Sequence, residues 1–209
     1  MIPESEVEFG SYPKPWNRGL AFLDIETLGT NNRTHAIIEV ACVVVGAGWS
    51  VEEWSSKLAV SKWDVERADP GAIAVNGFRV GEWADAPPAR DGLLELAKRL
   101  HGNVIVGHNL EFDLGFLDVA WQGLVPYREV VRSTIDTYPL AKAALGRHGL
   151  TKFGLHACCE FLGIEPEGVH RALGGAIRCK ALFERIVGAG GEPRRGHAVR
   201  GLQSVGSEF

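Results

Sequence analysis

The sequence predicts an α/β domain with a mixed sheet, and the order of its segments carries this prediction. Three strand-like segments come first, helical and strand-like segments then alternate, and the last part is helical. This order suits a sheet with an antiparallel three-strand start that continues through helical connections. With 209 residues, the chain is near the usual length of one domain and can bury a sizeable core.

The predicted strands are short apolar segments rich in β-branched residues. Residues 20–25 form an apolar run that contains one acid, which is typical of a buried strand, and residues 35–45 form a second such run. Residues 49–60 alternate weakly and are a third candidate. Residues 103–107 and 134–136 are later and shorter candidates.

Helical periodicity follows in the second half of the chain. Asn109 is predicted to cap the helix at residues 110–121, because asparagine is a favoured N-cap residue. Asp69-Pro70-Gly71 and Asn76-Gly77 are turn signals, so residues 64–88 are predicted to be rich in loops. Pro87-Pro88 opens a helical pattern in which apolar residues recur from Leu93 to Leu100. Further helices are predicted at residues 110–121, 138–145, 152–162 and 171–187.

Composition limits the domain organisation and the location. Residues 19–187 are predicted to form the domain, residues 1–18 an N-terminal extension, and residues 188–209, rich in Gly, Arg and Ser, a flexible tail. No apolar run approaches the ~18 residues of a membrane span. The net charge of −4 argues against a broad basic surface. The four cysteines have no CxxC spacing and are predicted to be reduced thiols in a cytoplasmic protein.

Two acids in the first strand form the first candidate motif. Asp24 and Glu26 are two residues apart, so a strand places both carboxylates on one face. Two buried acids on one face need a positive partner, and a hard divalent cation such as Mg²⁺ or Mn²⁺ prefers oxygen ligands. The alternative is a strand end that reaches solvent and leaves both acids hydrated.

Two further motifs lie near helix starts. Asp113 falls in the first turns of the helix after the fourth strand, where the helix dipole alone would also favour an acid. His170 precedes the last helix and could take a proton from water as a neutral imidazole. A surface or capping role is the alternative for His170.

Together the three motifs resemble those of the DEDDh group of 3′→5′ exonucleases, which includes polymerase proofreading subunits, RNase T and oligoribonuclease. Asp24 and Glu26 match the first motif, Asp113 the second and His170 the third, over about residues 19–187. The resemblance implies a ribonuclease H-like fold. It also implies that the four side chains converge in one cleft.

The resemblance further implies hydrolysis of a 3′-terminal phosphodiester with two Mg²⁺ or Mn²⁺ ions. Asp24, Glu26 and Asp113 would hold the metals, and His170 would be the general base. The backbone around Thr27 and the side chain of Leu28 would meet the terminal nucleotide. Asn109 would help to order the second motif and is included among the substrate-binding residues: Thr27, Leu28 and Asn109.

One position departs from the family pattern. The pattern has an acid five residues after the histidine, and this chain has Gly175 there. Glycine offers no side chain to a cation, so weak or single metal occupancy and impaired activity are expected. An inactivating substitution, a chance substitution and a naturally impaired protein all remain open as origins of Gly175.

Three functions are compatible with these residues. The leading hypothesis is an exonuclease acting on the 3′ end of single-stranded DNA or RNA and releasing nucleoside monophosphates. The second is a catalytically weak module on the same fold that binds nucleic acid or protein, and the third is a hydrolase of small phosphoesters. No motif specifies the sugar, a polymerase partner or a homodimer, and no membrane association is expected.

Overall fold

The protein folds around a five-stranded mixed sheet with the order β3-β2-β1-β4-β5. The computed structural model describes residues 18–46, 49–165 and 171–188. β1 pairs with β2 and β2 with β3 in antiparallel fashion, whereas β4 lies parallel to both β1 and β5. The strands are β1 (Leu20–Thr27), β2 (Ile37–Val45), β3 (Val51–Lys57), β4 (Val104–Gly107) and β5 (Thr134–Asp136).

Helices cover both faces of this sheet. The described part of the chain contains α1 (Lys62–Glu66), α2 (Pro70–Asn76), α3 (Ala89–Leu100), α4 (Leu110–Ala120), α5 (Tyr127–Val130), α6 (Thr137–Leu145), α7 (Leu155–Leu162) and α8 (Ala172–Gly188). Short 3₁₀ helices lie at Val80–Trp83 and Gly146–His148. Among the described residues, no helix is both long enough and apolar enough to cross a membrane.

Alternation along β1 divides the core between the two faces. Leu23 and Ile25 point into the larger cluster, with side chains of α3 and α4, while Phe22 points into the cluster on the opposite face. There α8 supplies Ala176 and Cys179. Because Asp24 and Glu26 share the parity of Phe22, the strand directs them to the side of the sheet that α8 covers.

The predicted fold class is confirmed: the mixed sheet begins with three antiparallel strands and is flanked by helices. The prediction of a loop-rich stretch at residues 64–88 is wrong in part, since this stretch contains most of α1, all of α2 and a 3₁₀ helix. Asp69 and Pro70 start a helix rather than a turn, because the Asp69 side chain accepts the N–H groups of Gly71 and Ala72.

Several predictions fall wholly or mostly outside the described residues. The N-terminal extension and the C-terminal tail lie there except for their boundary residues Arg18 and Gly188, and His170 also lies there. The extent of the domain, the flexible tail and the role of His170 therefore stay predictions. The four cysteines are all buried and free.

Candidate active site

The first two acids lie at the carboxyl end of β1. Asp24 and Glu26 are partly buried on the same face of the strand, as their spacing predicts. Burial raises the pKa of Glu26 to about 7, and the largest charge contribution to this rise comes from Glu39. β1 extends past β4, and the last pairing between the two strands joins Phe22 and Val106. The end of β1 is therefore free of a β4 neighbour on that side.

Asp113 occupies this free side of β1. Its Oδ1 atom accepts a hydrogen bond of 3.1 Å from the Ile25 N–H, between the two acids of the first motif. The side chain is buried, and burial raises the pKa of Asp113 to about 8 although backbone N–H groups, including that of Ile25, act to lower it. The fold thus brings the acid of the second motif to within one residue of both Asp24 and Glu26.

The side chain of Asp136, rather than that of Asn109, caps the helix that carries Asp113. Asn109 has a left-handed backbone (φ 63°) and makes no side-chain capping bond. Instead Asp136 accepts the N–H groups of Asn109 and Leu110, at 2.9 and 3.1 Å, and that of Tyr138 at 2.8 Å. Asn109 therefore stands at the N-cap position, as predicted, but its side chain does not cap the helix. One carboxylate from the end of β5 caps α4 and α6 together.

A histidine next to this cap anchors the same segment. The Nε2 atom of His108 lies 2.7 Å from the carbonyl oxygen of Phe153, and Nδ1 lies 2.9 Å from Thr137 Oγ1. Because a carbonyl oxygen only accepts, Nε2 carries a proton and donates it. Burial is the largest influence on the pKa of His108 and lowers it. The histidine therefore fixes the turn between β4 and α4 and ties it to α6.

The three carboxylates fit a divalent cation in their chemistry. Burial, followed by the charges of Asp113 and Glu26, raises the pKa of Asp24 well above its ordinary value. Among the described residues, no three His, Cys, Asp or Glu side chains are arranged to hold a metal ion by themselves. Mg²⁺ is usually bound by one or two carboxylates together with substrate phosphate and water. These three acids therefore suit a magnesium ion that also binds substrate phosphate and water, rather than an ion enclosed by protein ligands alone.

Gly175 lies against the first of these acids. A Cβ atom built on Gly175 would come within 2.9 Å of Asp24 Oδ1 and 2.5 Å of Asp24 Cγ. Any side chain at this position therefore faces the carboxylate cluster, and Asp24 must rotate to admit it. The Asp24 carboxylate occupies the space into which the acid implied by the motif resemblance would project.

Sequence reasoning missed three charged residues around the cluster. Glu39 lies directly opposite Glu26 in the β1–β2 ladder, is buried, and pairs with Arg171 through a 2.7 Å contact between Oε2 and Nε. Arg178 is also buried, and its charge lowers the pKa of both Asp24 and Glu26. A signal for Glu39 was present, because it is the only charged residue in the apolar run of β2.

A cavity of about 430 Å³ opens beside Glu26 and Thr27. Its apolar lining includes Val75 and Phe112. The Leu28 side chain is fully buried in a separate cluster with Ile38, Phe78 and Trp83, so its predicted contact with a nucleotide is not supported by this structure. The strand changes register after Glu26, and this irregularity alters which side chains face the cleft.

The chain matches a known protein family over most of its length. The sequence profile of the RNase T exonuclease family matches residues 21–183. A PolC-type DNA polymerase III from Staphylococcus epidermidis is 28% identical over 179 residues, which are 83% of this chain and 12% of the polymerase. The corresponding polymerase from Thermotoga maritima is 30% identical over 165 residues, or 79% of this chain and 12% of the polymerase. The chain thus spans about one eighth of these relatives.

Solved structures show the same fold. E. coli Exonuclease I in complex with a dT13 oligonucleotide superimposes with a TM-score of 0.67 at 19% sequence identity. The match covers 80% of this chain and 41% of the Exonuclease I chain. At this identity the likeness concerns the fold, and it agrees with the ribonuclease H-like architecture expected from the motifs.

Proposed function

Since the chain belongs to the RNase T exonuclease family, we propose that it removes nucleotides from the 3′ end of single-stranded nucleic acid by metal-dependent hydrolysis. The products would be nucleoside monophosphates, and Gly175 would slow the reaction. The similar polymerases are PolC-type, and the similar E. coli exonuclease is seen with a single-stranded oligonucleotide. The oligonucleotide complex supports single-stranded nucleic acid as the substrate, and the choice of the 3′ end rests on the motif resemblance.

One observation carries this proposal. The Asp113 carboxylate reaches the backbone of Ile25, so acids from two distant segments lie around one strand end. This strand end borders the cavity that Glu26 and Thr27 line. Carboxylates gathered beside a partly apolar cavity suit a phosphodiester whose terminal nucleoside enters the cavity.

The residues of the site would have separate roles in the reaction. Asp24, Glu26 and Asp113 would hold the divalent cation, which when bound stabilises negative charge on the phosphate oxygens. Phe112 and Val75 would cover the apolar parts of the terminal nucleoside. The Thr27 carbonyl accepts the side-chain N–H of Asn76 at 2.8 Å, and this contact fixes the cavity wall. His170 would accept the proton of the attacking water.

The ion count and the partners also belong to this proposal. Members of the family generally depend on divalent metals. Occupancy by two Mg²⁺ or Mn²⁺ ions during turnover, a polymerase partner, a homodimer and a cytoplasmic location all remain predictions.

A single-strand assay tests the proposal. Single-stranded DNA and RNA oligonucleotides with a 5′ label are incubated with the protein and Mg²⁺ or Mn²⁺. The products are then separated by length. A ladder that shortens one nucleotide at a time, and that a 3′-terminal phosphorothioate slows, is the expected result. Internal fragments without a ladder would identify an endonuclease and overturn the proposal.

A second candidate is a binding module with little catalysis on the same fold. The observation that favours it is Gly175, which leaves the cluster without the family's last acid. The assay separates the two functions when binding of the same oligonucleotide is measured by fluorescence anisotropy. Retained binding with no ladder under either metal, in the parent chain and in Gly175→Asp alike, would favour the module.

A further inference from the structure

The segment that contains α6, the following 3₁₀ helix and α7 has no acids. Between Asp136 and Glu160 the sequence has three basic residues, Lys142, Arg147 and Lys152, and a formal charge of +3 with histidine neutral. The whole chain has a net charge of −4. A local concentration of positive charge in an acidic protein is typical of a surface that meets an anionic ligand.

The three basic side chains of this segment are exposed and keep their charges. Lys142, Arg147 and Lys152 all lie at the surface. None of the ion pairs within residues 18–46, 49–165 and 171–188 involves them. By contrast, Lys62 and Lys98 each pair with an acid of their own helix. The acid-free segment can therefore offer its charges to a ligand.

Tyr138 joins this segment to the candidate active site. Its N–H group donates to Asp136, whose carboxylate also caps α4, and its ring centroid lies 5.7 Å from that of His108. The Phe153 ring lies 6.4 Å from the Tyr138 ring, and the Phe153 carbonyl oxygen contacts His108. Tyr138 is nevertheless 39% exposed. An exposed aromatic ring is thus held beside the helix start that positions Asp113.

Helical spacing and ring contacts connect Tyr138 with the basic side chains. Tyr138 and Lys142 are four residues apart on α6, so they are neighbours on its surface. Lys152 directly precedes Phe153, the ring next to Tyr138. Position 146, next to Arg147, faces the same ring, because a Cβ atom built there would lie 3.5 Å from Phe153 Cζ. Together these residues form a surface that we term the basic strip: Tyr138, Lys142, Arg147 and Lys152.

The sheet separates the basic strip from the cavity beside Glu26. The cavity is walled by α2 and the end of β1, whereas α6 starts at the end of β5. The order β1-β4-β5 places β5 two strands away from β1, and neighbouring strands are about 4.8 Å apart, which gives roughly 10 Å. A ligand that occupies both places must therefore be longer than one nucleotide and pass the carboxylates.

We propose that the basic strip binds the part of a single strand that lies 5′ to its terminal nucleotide, with phosphates at the three cations and a base stacked on Tyr138. This proposal rests on the proposed function, because that function brings the 3′ end to the carboxylates. Phosphates bind lysine and arginine side chains, and the unpaired bases of a single strand stack on aromatic rings. The alternation of exposed cations with an exposed ring therefore fits a single strand.

Binding of 5′-fluorescein dT12 to the full chain, measured by fluorescence anisotropy in EDTA, tests the phosphate contacts without turnover. The control removes the same number of charges from α1 and α3, where each basic residue has an acidic neighbour. Far-ultraviolet circular dichroism verifies that each variant is folded. The strip variant is Lys142→Gln/Arg147→Gln/Lys152→Gln, and its control is Lys62→Gln/Arg90→Gln/Lys98→Gln.

We expect the strip variant to bind dT12 at least about tenfold more weakly than the parent at about 0.1 M salt. The slope of the logarithm of the binding constant against the logarithm of the salt concentration should become shallower by about 2, since each phosphate contact on a single strand contributes about 0.7. The control should stay within about threefold of the parent. No measurable binding by the parent, equal losses in both variants or an unchanged slope would overturn the proposal.

A base-free 12-mer with the same number of phosphates tests the stacking on Tyr138. The parent should bind it at least about fivefold more weakly than dT12. Tyr138→Leu should lose at least about fivefold in affinity for dT12 and stay within about twofold for the base-free strand, whereas Tyr138→Phe should match the parent for both. Equal binding of both strands by the parent, or an equal loss for both strands in Tyr138→Leu, would contradict stacking.

Two further results separate this proposal from its alternatives. A polyglutamate peptide that displaces dT12 as well as unlabelled dT12 of equal charge does would identify an acidic protein partner and overturn the proposal. Strip-dependent binding of dT12 without any ladder in Mg²⁺ or Mn²⁺ would overturn the nuclease proposal and leave the strip in place. A ladder with the same KM for dT12 in the parent and the strip variant would overturn the strip alone.

Discussion

The two sides of the cleft differ in what they contribute. The β1 and α4 side supplies Asp24, Glu26 and Asp113, the acids that the family motifs require. The α8 side supplies Gly175 and Arg178, a missing acid and an added cation. Both sides nevertheless pack as one core, because Ala176 and Cys179 of α8 lie in the cluster of Phe22. Apolar side chains therefore join α8 to the sheet in addition to any charge pairing across the cleft.

The largest effect should come from the acid side. Asp113→Asn removes the charge that lies at the Ile25 N–H and keeps the shape of the side chain. Losing a metal-binding carboxylate should lower exonuclease activity at least about 100-fold, since even outer-shell losses at metal sites cost 10–100-fold. Initial rates on a labelled single strand measure the effect.

Asp118→Asn is the matched control, because Asp118 is an exposed acid on the same helix. It should keep the parent rate. If Asp113→Asn and Asp118→Asn were equally active, Asp113 would not contribute to catalysis. The β1 and α4 side would then not be the catalytic side of the cleft.

A smaller effect should come from the pair that links β2 to the start of α8. Glu39→Gln removes the charge opposite Arg171, although the amide oxygen can still accept its hydrogen bond. It also removes repulsion from Glu26, which offsets part of the loss. We expect the free energy of unfolding to fall by about 1–2 kcal/mol in urea denaturation.

Glu53→Gln, at an exposed position of β3, provides the control and should change the free energy of unfolding by less than about 0.5 kcal/mol. A Glu39→Gln protein as stable as this control would show that the Arg171 pair contributes nothing to holding α8 on the sheet.

The smallest effect concerns pH in the presence of a chelator. The pKa values of Glu26 and Asp113 are raised to about 7 and about 8 in the folded protein, above their ordinary values near 4 in the unfolded chain. The folded state therefore binds more protons between these values, and stability falls as pH rises through this window. Below pH 4 the full contribution is present.

Glu26 is partly exposed and solvent screens its share, whereas Asp113 is buried, so we expect a loss of at least about 1 kcal/mol between pH 5 and pH 8. Urea denaturation in EDTA at both pH values measures it, and Asp113→Asn should flatten the dependence. Stability that rises over the same interval would contradict the raised pKa values, which come first from burial and then from repulsion among the acids.

The sequence predicted the acid side well and the α8 side poorly, for physical reasons. Strand parity alone places Asp24 and Glu26 together, and a helix start places Asp113 at a strand end. The position of Arg178 depends on the packing of α8 across the sheet, a long-range contact that periodicity does not encode. The burial of Leu28 likewise depends on Phe78 and Trp83, which come from a distant segment.

Two local sequence patterns were misinterpreted, because each is compatible with more than one local structure. Asp69-Pro70-Gly71 is compatible with a turn and with a helix start, and the free N–H groups of α2 decide between them. Asn109 has the residue type of a cap, yet its left-handed backbone leaves the capping role to Asp136, which arrives from β5. Tertiary contacts decided both positions.

The most direct test of the account compares the parent chain with Gly175→Asp on a single-stranded oligonucleotide at limiting Mg²⁺. A side chain at this position faces the Asp24 carboxylate, so once Asp24 rotates the new acid joins the metal-binding group. The account predicts a rate at least about tenfold higher for Gly175→Asp. Gly188→Asp, in open space at the far end of α8, should match the parent. Equal rates for the parent and Gly175→Asp would contradict the account and mean that another group already supplies the ligand.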